Sequence, residues 1–218
     1  MHSYDNSFGV IWDMDGVLVD TGPFHFQVWK DVLAGYDITL SPEYFRKTFG
    51  MNNDGFLRLI LGERFNQEFA EKISKEKEAK LRWTIRGHIK PFPGVIQLLE
   101  ELKIRSIPQA LASSAPLANI KAVLVEMALE KSFQATVSAE YMPGKPDPAV
   151  FLEASRLLEL APDDCVVIED SISGVQAALN AGMRCLAVAN TNSIDQLTVA
   201  NKFVTSLTEV TYTDLLNL

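Results

Sequence analysis

Two aspartates, Asp13 and Asp15, stand two positions apart directly after the apolar run Val10-Ile11-Trp12, and Gly16 follows them. A short run of large apolar residues that stops abruptly at acids reads as a buried parallel strand whose end opens on a site. Carboxylates beside a core are costly unless a metal or a cation compensates them. The chemistry expected of Asp13 and Asp15 therefore begins with such a partner. Taken alone, the pattern also fits a polar turn whose acids are solvated.

Three further sets of residues occupy comparable places. Residues 107–112 form an apolar run that ends in Ser113-Ser114. Lys145 lies in Gly144-Lys145-Pro146-Asp147-Pro148, ahead of a helix for which Asp147 is the expected N-cap and Pro148 the first residue. Residues 165–168, rich in β-branched side chains, run into Glu169-Asp170. Each set has an ordinary alternative: Ser113, Ser114 or Asp170 as a helix cap, Lys145 as a surface lysine. Their joint occurrence at strand ends and helix starts favours a site.

The elements that must position them follow from periodicity. Pro23 and Ser41-Pro42 open helices, and residues 53–61 and 66–86 continue as helices, so no strand is expected between about 22 and 88. From residue 91 onward strand and helix patterns alternate. Strands are expected near 107–112, 133–137, 165–168, 184–188 and 202–204. Helices are expected from Val95 to Leu102, from Pro116 through Met127, after Pro148, and from Gly174 to Ala181. This alternation predicts an α/β fold: a Rossmann-like parallel sheet with helices on both faces, interrupted by an inserted all-helical block. Right-handed crossovers bring every strand's carboxyl end to one edge, where open α/β sheets bind ligands. Asp13, Asp15, Ser113, Lys145, Glu169 and Asp170 are all expected there.

Composition narrows the partners. The 218 residues are 47% hydrophobic and 22% charged, with a net charge of -8, which suits a globular protein and disfavours nucleic acid or an anionic membrane as partner. No apolar run approaches the roughly 20 residues of a membrane span. The N-terminal segment lacks a basic region followed by an apolar stretch, so a cytoplasmic protein is expected. The two cysteines, Cys165 and Cys185, read as buried reduced thiols.

Four separated motifs resemble those of the haloacid dehalogenase-like hydrolases, in that family's order and across residues 8–190. They are Asp13-Met14-Asp15-Gly16-Val17-Leu18, Leu111-Ala112-Ser113, Lys145-Pro146, and Val166-Val167-Ile168-Glu169-Asp170-Ser171 with Gly174. The helical insert and the stretch Asp20-Thr21-Gly22-Pro23-Phe24-His25 resemble the group that includes β-phosphoglucomutase and small sugar-phosphate phosphatases. The resemblance implies a catalytic core of residues 1–20 and 90–218 and a helical cap domain of residues 21–89. It implies Asp13 as nucleophile, Asp15 as general acid and base, and Lys145 as balancing charge. It also implies phosphate binding at Ser113 and Ser114, and Mg²⁺ held by Asp13, the Asp15 main-chain carbonyl and Asp170, with Glu169 alongside.

For the cap, the resemblance implies substrate-facing roles for His25, Gly50, Asn52, Asn53 and Lys77. His25 has a competing reading as a packed residue among Phe24, Phe26 and Trp29, and Lys77 competes with Lys75 and Lys80 in a charge-rich helix. One departure decides between activities. β-Phosphoglucomutases carry an arginine three residues after the cap-loop glycine, and here Asn53 stands there, without the cationic fork that suits a second phosphate. The expectation is a monomeric Mg²⁺-dependent phosphatase of a small phosphorylated metabolite, with a mutase as alternative. A dehalogenase is disfavoured because it needs neither Mg²⁺ nor the acid at position 15, and a non-catalytic module because every chemical position is filled.

Overall fold

The computed structural model describes residues 8–218. Six strands form one parallel sheet in the order β3-β2-β1-β4-β5-β6. They are β1 (Gly9–Trp12), β2 (Gln109–Ser113), β3 (Ala135–Ser138), β4 (Cys165–Glu169), β5 (Arg184–Val188) and β6 (Lys202–Val204). The order reverses between β1 and β4, paired in register from Gly9↔Cys165 to Trp12↔Ile168. That reversal is where an open α/β sheet leaves a crevice beyond its carboxyl ends.

Successive strand side chains point to opposite faces, so the apolar runs feed two cores. Val10, Trp12, Leu111, Val166, Ile168 and Leu186 belong to one core, together with α5 (Val95–Ile104), α6 (Leu117–Glu126) and α9 (Tyr212–Leu216). Ile11, Ala110, Ala112, Val167 and Ala187 belong to the other, with α7 (Ala149–Leu157) and α8 (Ile172–Asn180). Both cysteines are buried on this second face. Continuous hydrophobic strands are what a sheet covered on both sides requires.

Between β1 and β2 the chain forms α1 (Gly22–Ala34), α2 (Pro42–Thr48), α3 (Asn53–Leu61) and α4 (Gln67–Thr84), with no strand, as the sequence implied. Its two connections to the sheet run side by side: Val19 bridges Pro91 in antiparallel fashion, and Phe92 N–H donates to the Leu18 carbonyl. The apolar face of α4 reads Ala70, Ile73, Leu81, and the buried Lys77 falls on the same stripe. Trp29 from α1 and Phe56 from α3 stack near it, with ring centroids 4.7 Å apart.

Several boundaries differ from the expected ones. Pro148 is the cap rather than the first helical residue, and Asp147 Oδ1 accepts the N–H of Ala149. A proline fixes its own φ but fits either position, so the pattern places the start only to within one residue. Helix α8 begins at Ile172, not Gly174, because Ser171 caps it by accepting the Gly174 N–H at 3.0 Å. Helix α6 ends at Glu126, one residue before Met127.

Candidate active site

Asp13 follows β1 directly and is buried between the two central strands; its N–H donates to the Ile168 carbonyl at 3.0 Å. Lys145, in the loop after β3, donates to Asp13 Oδ1 at 2.5 Å and to Glu169 Oε1 at 2.6 Å. The other Glu169 oxygen accepts the main-chain N–H groups of Asp170 and Ser171, both at 2.7 Å. Both oxygens of Glu169 are thereby engaged. Asp170 is buried too, and its Oδ2 has no hydrogen-bond partner. Oxygens of Asp13, Glu169 and Asp170 lie within 4.8 Å of one another.

Two glycines make this packing feasible. A Cβ on Gly16, which has φ +94°, would fall 2.0 Å from Asp170 Oδ2, and one on Gly174 would fall 1.7 Å from Glu169 Oε1. The glycine of the Asp-x-Asp-Gly motif is therefore where backbone approaches a carboxylate too closely for any side chain.

Electrostatics follow from the count: three buried acids face one buried ammonium. Burial pushes Asp13 above the ordinary carboxylate range, with Lys145 opposing and Glu169 reinforcing the rise. Burial also drives Asp170 well above that range, with the charges of Glu169 and Asp13 adding to it. Burial works against the charged form of Lys145, but Asp13 and Glu169 outweigh it and hold the ammonium above its usual value. Such an arrangement is costly until further positive charge enters. An unpartnered buried oxygen beside two other acids is an oxygen-rich donor set that fits a hard divalent cation.

Ser113 and Ser114 end β2 on the same edge. Ser113 Oγ accepts the Ala115 N–H at 3.0 Å, the turn role expected of its neighbour. The Ser114 hydroxyl is buried without a partner, so it is not a helix cap; Pro116 occupies that position in α6.

Asp15 faces the helical insert. It accepts from the Thr21 hydroxyl, and His25 Nε2 lies 3.9 Å away. Burial raises its carboxyl above the usual range, against the Thr21 hydrogen bond and the Lys77 charge. His25 Nδ1 is 3.0 Å from Lys77 Nζ, and burial, then the Lys77 charge, hold the imidazole well below its usual value. Lys77 is itself lowered by burial, against the attraction of Glu78, to which it donates at 2.7 Å. Lys75 and Lys80 instead pair at the surface, with Glu71 at 3.7 Å and Asp31 at 2.9 Å.

Glu78 gathers more donors: Asn53 Nδ2 at 2.7 Å on one oxygen and Asn119 Nδ2, from α6, on the other. Arg82 donates to Asn119 Oδ1 at 2.7 Å. Asn52 lies apart: it caps α3 by accepting the Gly55 N–H and donates to the Met142 carbonyl at 3.3 Å, outside both cavities. Thr21, Glu78 and Asn119 were not singled out from sequence. The one available signal was the stripe Ala70, Ile73, Lys77, Leu81, which puts residue 77 and its neighbour 78 on the covered side of α4.

Two small cavities result. One, of about 20 Å³, is bounded by Asp13, Asp15, Ser113, Lys145, Glu169 and Asp170. The other, of about 50 Å³ under the insert, has Asp15, His25, Asn53, Lys77 and Glu78 among its polar walls. They share Asp15, Phe49, Gly50 and Ser114, so Asp15 stands on their common border.

The haloacid dehalogenase-like hydrolase family matches residues 10–188. A phosphorylated carbohydrates phosphatase of Thermotoga maritima is 33% identical over 175 residues, covering 80% of this chain and 81% of the relative. A β-phosphoglucomutase of Bacillus subtilis is 34% identical over 188 residues, covering 82% of each. Among solved structures, a β-phosphoglucomutase from Clostridium difficile superposes with a TM-score of 0.87 at 25% identity, covering 96% of this chain and 95% of that one. With the motifs on the strand ends, the match over most of its length makes this chain a member of the haloacid dehalogenase-like hydrolases.

Proposed function

We propose that the chain is a Mg²⁺-dependent phosphatase of a small phosphorylated metabolite, a sugar phosphate before others. The observation that carries this is the unpartnered Asp170 oxygen beside Asp13 and Glu169, with Lys145 as the one cation among the residues bounding that cavity. Asp13, Asp170 and the Asp15 main-chain carbonyl would hold Mg²⁺, with Glu169 behind them. A bound Mg²⁺ supplies neutralising charge for a phosphoryl group.

The residues then divide the work. An oxygen of Asp13 attacks phosphorus, the bond to the leaving oxygen breaks, and Asp15 gives that oxygen its proton. Water next attacks the aspartyl-phosphate, Asp15 takes its proton, and inorganic phosphate leaves with Asp13 restored. The raised Asp15 carboxyl on the border of the two cavities suits a group that must start protonated. Lys145 offsets charge on Asp13 and the phosphoryl oxygens, and the Ser113 and Ser114 region binds those oxygens. Residues 21–89 form a cap domain over a core of 1–20 and 90–218, carrying the substrate's body in the larger cavity.

A mutase is the second reading, since a β-phosphoglucomutase is among the relatives. Hydrolysis is favoured because Asn53 places a neutral amide, donating to Glu78, in the cavity that a second phosphate would need. The test is phosphate release from a panel of sugar phosphates with and without Mg²⁺, alongside β-glucose 1-phosphate followed for isomerisation. Fast isomerisation without phosphate release overturns the phosphatase; no turnover of any ester in Mg²⁺ overturns both.

A further inference from the structure

We infer that Glu78 sets substrate choice by charge: the larger cavity takes a neutral, hydroxylated body and rejects one carrying a second anionic group. The inference rests on the phosphatase reading and concerns the end of the substrate that does not react. It stands on what faces that cavity. Lys77 is the one cationic side chain among its described walls, and it is already committed to Glu78 at 2.7 Å and to His25 at 3.0 Å. His25 sets Nδ1 3.0 Å from the Lys77 ammonium, a placement that disfavours a second positive charge on the ring. Asp15 and Glu78 both present carboxyl groups. The walls therefore contain no uncommitted positive charge among the described residues.

Geometry fixes Glu78 in this role. Its side chain is buried, and three neighbouring side chains hold it in place. Asn53 and Lys77 occupy one oxygen, while Asn119, itself held by Arg82, occupies one side of the other. That second oxygen keeps acceptor capacity, since a carboxylate oxygen accepts about two hydrogen bonds. The Ser114 hydroxyl, buried and unpartnered on the border of the two cavities, adds a donor and an acceptor. Aromatic rings of Trp29, Phe45, Phe49 and Phe56 form much of the remaining wall. A sugar or polyol hydroxyl can donate to Glu78 and pack on those rings. A carboxylate or phosphate at the same place meets a like charge in a poorly screened pocket, a repulsion worth a factor of about ten or more.

Sorbitol 6-phosphate and 6-phosphogluconate test this directly, because they differ at one end by a hydroxymethyl group against a carboxylate. The expected result is kcat/KM in Mg²⁺ at least about tenfold higher for the polyol ester. Glu78→Gln should narrow that ratio about tenfold, mostly by raising activity on the gluconate ester, while Glu78→Asp retains it. Because Glu78 also ties α4 to α6, a second variant avoids the network: Met51→Lys adds a cation at a partly exposed wall position and should narrow the ratio too. Equal kcat/KM for the two esters, or a ratio that neither Glu78→Gln nor Met51→Lys moves, overturns the inference while leaving the phosphatase standing. Absence of turnover on every ester removes the phosphatase itself.

Discussion

The floor of the site and its roof are both buried and polar, yet they manage charge in opposite ways. On the floor, Asp13, Glu169 and Asp170 crowd one lysine and leave an oxygen of Asp170 unpaired. Under the roof, Lys77 and Glu78 pair at 2.7 Å, and Asn53 and Asn119 add hydrogen bonds, so that each oxygen of the carboxylate has a partner within the chain. A buried network that is complete within the chain rigidifies and specifies, whereas one left incomplete is held for something that arrives later. On the floor a buried carboxylate oxygen is left without a partner. Under the roof the buried lysine and the buried glutamate already offset each other.

The sharpest break between the two comes from Asp13→Asn. The amide is nearly isosteric but has no nucleophilic carboxylate, so phosphate release should fall by about 10⁴-fold or more. The fold should survive, because removing one of three crowded acids relieves repulsion. Circular dichroism and steady-state phosphate release measure the two sides. Retained turnover in this variant would place the nucleophile elsewhere.

Lys145→Ala comes next. It removes the one ammonium between Asp13 and Glu169, and breaking a buried pair from one side costs about 3–5 kcal/mol. Activity should drop by about 10²–10³-fold, through the lost transition-state charge. The variant should also depend more on metal for stability than the parent does. In thermal unfolding, Mg²⁺ at 100 times its Kd should stabilise the parent by about 2.7 kcal/mol. Asp170→Asn should abolish that gain. A shift of the same size in Asp170→Asn would exclude Asp170 as a ligand.

The same contrast explains what could be read from the chain. Asp13, Ser113, Glu169 and Asp170 were legible because a fully buried strand is a continuous apolar run, and the residue that ends it announces itself. The parallel sheet and the shared edge of its strand ends follow from alternation and handedness, whereas the strand order β3-β2-β1-β4-β5-β6 does not. Glu78 and Asn119 were not legible. Glu78 sits in a helix whose composition resembles a solvated one, Asn119 is a lone polar residue in an apolar helix, and the two meet across 41 positions of chain. Lys77 lay between: it was named but left competing with Lys75 and Lys80, and only its place on the buried stripe with Ala70, Ile73 and Leu81 separates it from them. For Ser114 the binding reading and the cap alternative stood side by side, because serine before a helix has two uses that sequence does not separate.

Within the roof, Lys77→Met is the milder test. The stem volume is retained on the apolar stripe while Glu78 loses its partner and His25 its neighbour. We expect about a tenfold fall in kcat/KM, expressed mainly in KM, because the change touches the body of the substrate rather than phosphorus. A fall confined to kcat would instead assign Lys77 to the chemical step.

The smallest effect concerns proton linkage at His25. Its folded value lies well below 6.5, first because it is buried and then because Lys77 is near. Below pH 6.5 the unfolded chain therefore takes up a proton at this residue that the folded chain does not. By linkage, stability is lost as pH falls through 6.5, approaching about 1.4 kcal/mol per pH unit for one proton, and this loss stops at the folded value. Asp13, Asp15 and Asp170 act in the opposite sense, because their folded values are raised and the folded chain binds their protons first. The net slope of the parent thus mixes both regions. Subtracting the urea unfolding curves of His25→Gln from those of the parent cancels the carboxylates and isolates the imidazole. The difference should be flat above pH 7 and reach about 1 kcal/mol within a unit below 6.5. A flat difference down to pH 5 would mean that the ring is protonated in the folded protein, and the Lys77–His25 contact would then have to open.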